Sequence, residues 1–298
     1  MAGRMVCAIA LGIPVLAGLA YLGLSGAPFV YIASNGLALV VALAATAFLR
    51  VRLSDRQCRI LAVLLLLLLY VPLLTGPHVN GIARWFPLGP VALHAGALAL
   101  PALIVLAARD DDYSPPILLA ALLAASLQPD AATGLAVMLA AVGLYNATRD
   151  WRLVPVAGIA FLASIIAGLR GELPAQPFVE RVLVDLALQQ PLAALGLGAS
   201  LLAAFVLFAH ALPAEKRARH ALAGSLFGFS LAATVSNYPS VLIGYGAAPI
   251  IGYGLALALA VPVALSPMLA GPAHAQFGSY HHCPHGHDQH HCRYLQWH

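Results

Sequence analysis

Long apolar runs alternate with short polar islands along the chain, and the islands hold nearly all of its charge. The runs lie near residues 5–24, 29–49, 59–76, 91–108, 115–128, 132–148, 153–170, 192–212, 221–236 and 249–267. About 20 consecutive apolar residues make a helix long enough to cross a bilayer. The pattern therefore predicts an all-α, polytopic membrane protein of ten transmembrane helices. The runs are unbroken rather than alternating, which argues against a membrane β-barrel. The fifth run is short, with Pro115 and Pro116 at its start and Gln128-Pro129-Asp130 at its end. Short or broken helices line cavities, because freed backbone groups need polar partners. No internal repeat stands out.

Basic residues test the count. With the N-terminus inside, Arg4 lies inside, as do the loop with Arg50, Arg52, Arg56 and Arg59, the loop with Arg149 and Arg152, and the loop with Lys216, Arg217 and Arg219. Only Arg84, Arg170 and Arg181 fall outside, which fits the positive-inside rule. Asp110-Asp111-Asp112 falls inside and does not object, since acidic residues weigh little in orientation. The same topology places four unusual segments on the outer face: Val79–Pro90, Gln128–Gly134, Arg170–Gln190 and Ser236–Ala248.

Composition agrees. Of 298 residues, 61% are hydrophobic and 9% charged, where a soluble domain carries about a quarter charged residues. The net charge of +4 sits in short clusters between apolar runs, a pattern that orients a membrane protein and does not imply nucleic acid. The first run has no convincing small-residue cleavage site and is read as a retained helix rather than a signal peptide. Cys7 and Cys58, at helix starts, read as structural.

The island Val79–Pro90 (VNGIARWFPLGP) concentrates the polar chemistry. A charge beside a bilayer is costly unless it sits at the interface or in a wet, paired cavity. Arg84 has a planar fork suited to two hydrogen bonds to an anion such as phosphate. Its other reading is an interfacial anchor beside Trp85. Asp130, at a broken helix end, reads first as an N-cap of the next helix and second as a proton-transfer group. His94 reads as a hydrogen-bonded interfacial residue.

These segments, in this order, resemble the SEDS (shape, elongation, division and sporulation) family of ten-span peptidoglycan glycosyltransferases. The family loop N-G-A-R-R-W-I-x-L-G-P is matched in register by Asn80, Gly81, Arg84, Trp85, Leu88, Gly89 and Pro90. The family's Q-P-D-x-G-T-A is matched by Gln128, Pro129, Asp130 and Thr133. Its S-Y-G-G-S-S keeps a Tyr-Gly core in Gly244-Tyr245-Gly246-Ala247-Ala248. The resemblance covers roughly residues 5–267. It implies a cell-wall synthesis protein, in division or elongation, acting on a lipid-linked peptidoglycan precursor in a bacterial inner membrane with both termini cytoplasmic. A single-span transpeptidase partner is implied too. Implied substrate-binding residues are Arg84, Asn80, Trp85, Gln128, Asp130, Thr133 and Tyr245. Departures accompany the matches. The family's Q-P-S-E falls on His94-Ala95-Gly96-Ala97, and the position of the family's essential aspartate falls on Val179, next to Glu180.

The implied reaction takes a proton from a sugar hydroxyl while a lipid diphosphate leaves. It calls for a carboxylate base and for cationic groups, donors or a divalent cation on the diphosphate. Glu180 is the first candidate base, with Asp185 and Glu172 behind it; a solvated Glu180–Arg181 pair is the plain alternative. Residues 1–270 form the membrane domain on this reading, and 271–298 a disordered cytoplasmic tail. The tail gathers His281, His282, Cys283, His285, His287, His290, His291 and Cys292, all ligand types for zinc, nickel or copper. A biased tail with incidental metal affinity is the alternative. Three functions follow: a glycosyltransferase, a catalytically inactive scaffold or precursor-binding protein of the same fold, and a metal transporter that uses the tail.

Overall fold

A computed structural model describes residues 2–49, 53–88 and 91–261; the tail, with its histidines and cysteines, lies outside them. Among the described residues there are eleven α-helices and one hairpin. They run α1 (Ala2–Leu24), α2 (Phe29–Phe48), α3 (Asp55–Thr75), β1 (Trp85–Leu88), β2 (Val91–His94), α4 (Ala95–Ala107), α5 (Ser114–Leu127), α6 (Ala131–Thr148), α7 (Leu153–Gly171), α8 (Val182–Gln189), α9 (Pro191–Val206), α10 (Lys216–Val235) and α11 (Ala247–Ala260). A π-helical turn, Leu207–Ala211, prolongs α9.

Ten of these helices answer the ten apolar runs. Six are long and apolar enough to cross a membrane, counting α9 with its π-helical turn. Helices α4, α5 and α11 are apolar but shorter. Helix α10 begins inside the charged turn Lys216–Arg219, earlier than the apolar run suggests. Two elements depart from the sequence reading. Residues 91–94, assigned to the fourth span, are the second strand of the hairpin, with Trp85 opposite His94. The polar segment Arg170–Gln190 contains the short helix α8.

Local chemistry explains the boundaries. Ser54 and Gln57 form a capping box at the start of α3, satisfying amides that the first turn leaves unpaired. Prolines at the first turn of α5 start that helix at no hydrogen-bond cost. Asn80 and Gly81 both have positive φ, 53° and 78°, between the bridged pair Val79 and Ile82. That is the geometry of a tight turn that Asn-Gly adopts readily.

Helix α4 is the hub. Every residue in it except Leu98 is buried, and it touches α3, α5, α6, α10 and α11. A helix apolar on all sides belongs in the core of a bundle. Helices α6 and α10 pack backbone to backbone, because a methyl at Gly224 would strike the Leu139 carbonyl.

The two ends of the bundle differ. At one end Arg59 pairs with Asp110 at 2.7 Å. Arg152 donates to the Asp111 carbonyl at 2.6 Å, and Arg217 pairs with the Asp111 carboxylate. Arg4 reaches the Ala47 carbonyl, and Gly3 lies against Pro213. The loops assigned to one side by their basic residues thus share one end. The four unusual polar segments meet at the other.

Candidate functional site

The polar end is tied together by hydrogen bonds. Asn237 donates to the Leu173 carbonyl at 3.0 Å, the Ser240 amide to the Val179 carbonyl at 2.8 Å, and the Tyr245 amide to the Phe178 carbonyl at 2.7 Å. The Ala131 amide donates to the Tyr238 hydroxyl at 3.0 Å. These contacts enclose a cavity of about 520 Å³. Its wall includes Tyr31, Trp85, His94, Gln176, Glu180 and Tyr245.

Among the described residues of that wall, Glu180 supplies the only carboxyl group. Two residues in left-handed backbone, Phe178 (φ 67°) and Arg181 (φ 53°), bracket it. Such residues cost about 1 kcal/mol or more each and persist only where surrounding contacts hold them. The bonds from Ser240 and Tyr245 do so here, with the Val182 amide donating to Ser240 Oγ at 3.0 Å. Burial pushes the Glu180 carboxyl above its usual range, against the opposing pull of the Gln176 amide and the Arg84 charge. Val179 lines the same cavity but carries no acid.

Behind the wall lies a buried polar cluster. Arg84 is 2% exposed and Asp130 1%. The Arg84 guanidinium donates to the Gly171 carbonyl and lies 4.0 Å from Asp130 Oδ1. It is also 5.1 Å from the Trp85 ring centre and 5.0 Å from that of Tyr238. Burying a guanidinium costs several kcal/mol. Two aromatic faces, the buried Tyr238 and the half-buried Trp85, each worth about 0.5–2 kcal/mol, share that cost with Asp130 and the carbonyl. Asp130 caps α6, accepting from the Thr133 amide at 3.2 Å and from the Thr133 hydroxyl. His94 caps α4, its Nδ1 accepting from the Ala97 amide at 3.1 Å. That bond assigns the ring proton to Nε2, which faces Asp130 Oδ2 at 3.3 Å. Gly96 sits where a Cβ would strike the Thr133 hydroxyl, so α4 and α6 approach closely at this point.

The residues expected to bind substrate divide accordingly. Trp85 and Tyr245 line the cavity with Glu180. Arg84, Asp130 and Thr133 form the cluster behind it, so Arg84 does not present its fork to the cavity as the sequence reading had it. Four further candidates, two for substrate binding and two acidic, lie elsewhere. Asn80 is an exposed turn residue. Gln128 is buried and donates to the Leu69 carbonyl as it closes α5. Asp185 is 57% exposed beside Arg181 at 4.0 Å, outside the cavity, because its place on α8 turns it away. Glu172 accepts from Ser236 at 3.2 Å on the exposed rim. Two residues escaped the sequence reading. Tyr31 lines the cavity, and Asn35 is buried behind it. The signal was an isolated amide one helical turn from a tyrosine inside an apolar run.

No family model and no curated protein matches the chain by sequence. Solved structures do match. The crystal structure of the rod shape determining protein RodA of Thermus thermophilus aligns with a TM-score of 0.62 at 24% identity, over 86% of this chain and 94% of that one. An Asp→Ala variant of the same RodA aligns with a TM-score of 0.63 at 23% identity, over 86% and 95%. A chain of a peptidoglycan synthase complex, described as coordinating polymerization and crosslinking, aligns with a TM-score of 0.57 at 21% identity, over 85% and 96%. The chain thus has the SEDS, RodA-like fold of a polytopic, all-α membrane protein.

Proposed function

We propose that the protein acts in bacterial cell-wall synthesis, in elongation or division, as a glycosyltransferase on a lipid-linked peptidoglycan precursor at the inner membrane. The observation that carries this reading is the carboxylate of Glu180 in the cavity of a RodA-like fold. Glu180 would accept the proton of a sugar hydroxyl as its oxygen bonds to the anomeric carbon of the second sugar. The bond from that carbon to the diphosphate oxygen breaks, and the diphosphate leaves with the electron pair. A carboxyl raised towards the working pH suits a general base. The Arg84 charge behind the wall favours the ionised form. With one carboxylate among the described residues of the wall, a divalent cation here would be held chiefly by the diphosphate's own oxygens. A single-span transpeptidase partner is proposed with this activity, since one structural neighbour comes from a synthase complex.

Purified protein given the lipid-linked precursor should produce glycan polymer, and Glu180→Gln should abolish it with precursor binding retained. A wild-type protein that binds precursor but yields no polymer would instead make it a precursor-binding scaffold. One observation favours that second reading: among the described residues no lysine or arginine lines the cavity, because Arg84 is committed behind it.

A further inference from the structure

The ring of Tyr31, at the start of α2, stacks on that of Tyr245 with centroids 3.8 Å apart and planes at 5°. The two residues are 214 positions apart in sequence, by subtraction of their numbers, so this contact is built by the fold. Asn35, one turn beyond Tyr31, is 1% exposed and binds the same loop through both its amide nitrogen and its amide oxygen. Its Nδ2 donates to the Gly244 carbonyl at 2.9 Å, and its Oδ1 accepts from the Gly246 amide at 3.0 Å. The Tyr245 amide is held on its far side by Phe178, two residues before Glu180. The aromatic pair and the carboxylate are therefore fixed to one strap. Both tyrosines line the cavity and both remain half-buried, so the stack leaves ring surface open to it.

A binding cavity uses aromatic and apolar surface for contact and a few polar groups for orientation. A hexose ring has a face of C–H bonds that packs on an aromatic π surface, with hydroxyls around its edge. We propose that Tyr31 and Tyr245 form the wall against which a sugar ring of the substrate lies, placing its hydroxyl edge towards Glu180. The proposal rests on the glycan-precursor reading above and names where the sugar, rather than the diphosphate or the lipid, is recognised. Asn35 is a positioning residue for this wall. Fixing the two rings before binding reduces the ordering cost of the complex.

The test compares two ligands on the full-length protein in detergent: a polyprenyl-diphosphate-linked disaccharide, and the same polyprenyl diphosphate without sugar. Wild type should prefer the sugar-bearing lipid. Tyr31→Leu and Tyr245→Leu should each cut that preference about tenfold, which is about 1.4 kcal/mol for one aromatic contact, and leave affinity for the sugar-free lipid unchanged. Tyr31→Phe and Tyr245→Phe should keep the preference. If the Leu variants keep it too, the sugar wall is wrong while the precursor reading stands. If wild type shows no preference, the precursor reading itself fails. Where a Leu variant loses both ligands, Asn35→Asp decides. That change removes one donor and keeps the rings, and an unchanged preference there and in the other Leu variant overturns the proposal.

Discussion

Asp130 holds three roles that substitution can separate. It caps α6, faces the Nε2–H of His94 and offsets the charge of Arg84. Asparagine caps a helix about as well as aspartate, so Asp130→Asn keeps the first role and removes the charge. Leaving a buried guanidinium without its counter-charge should cost about 3 kcal/mol, read as a lower thermal midpoint of the detergent-solubilised protein. Asp130→Ala should lose about 1 kcal/mol more for the cap. Equal midpoints for Asp130→Asn and wild type would mean that the aromatic faces and the Gly171 carbonyl carry Arg84 without a counter-charge. Glu180 makes a prediction about pH. Its carboxyl binds a proton more tightly in the folded chain than in the unfolded one. Its stabilising contribution is thus complete below the ordinary value near 4.5, and is lost as pH rises through the folded value. Over the same window the carboxylate forms, so polymer synthesis should rise as this contribution to stability falls. Glu180→Gln should remove both slopes in a pH series of rate and thermal midpoint. Asn80 tests the turn assignment. Asn80→Gly preserves the positive φ at that position and should leave activity unchanged, whereas a ligand role would make the same change costly.

Among the elements, the contact between α4 and α6 is the least forgiving. Gly96→Ala would drive a methyl into the Thr133 hydroxyl and to 3.1 Å from Asp130 Oδ2. Overpacking of this kind costs about 1–3 kcal/mol, and here it also shifts the cap of α6. At Gly158 in α7 a Cβ meets nothing within 4 Å, so Gly158→Ala should be neutral or stabilise by up to about 1 kcal/mol. Thermal midpoints of the two variants check the contrast. The ten apolar runs made these helices legible, because span length and polar breaks are written directly in composition. The hairpin was not, since Val91-Ala92-Leu93-His94 continues an apolar run and a short run fits strand or helix equally. Nor was α8, whose eight residues lie inside a polar segment. At the site, the Asn-Gly turn and the Asp130 cap could be read from local chemistry. The direction of Arg84 could not, because Tyr238 and Gly171, which capture it, lie far along the chain.

Across the whole molecule, the ion pairs of Arg59 and Arg217 and the hydrogen bond of Arg152 with the Asp110–Asp112 loop mark one end and the cavity the other. In a protein whose four native cysteines are replaced by serine, Asn80→Cys should react with a membrane-impermeant maleimide in intact cells. Asp112→Cys should react only after permeabilisation. Labelling in the reverse order would invert the topology drawn from the basic residues. The hub helix has a consequence for the bilayer itself. Its thirteen residues reach about 20 Å at 1.5 Å per residue, while the hydrocarbon layer is about 30 Å thick. If Asp110 sits at one boundary, a helical rise over the sixteen positions back to His94 covers about 24 Å, which sets His94 about 6 Å inside the other, and any tilt sinks it deeper. Asp130 and Arg84 sink with it. On that placement the floor of the cavity would be a pit below the level of the surrounding lipid headgroups, and the lipid-anchored precursor proposed above would reach it by descending rather than by being lifted into water.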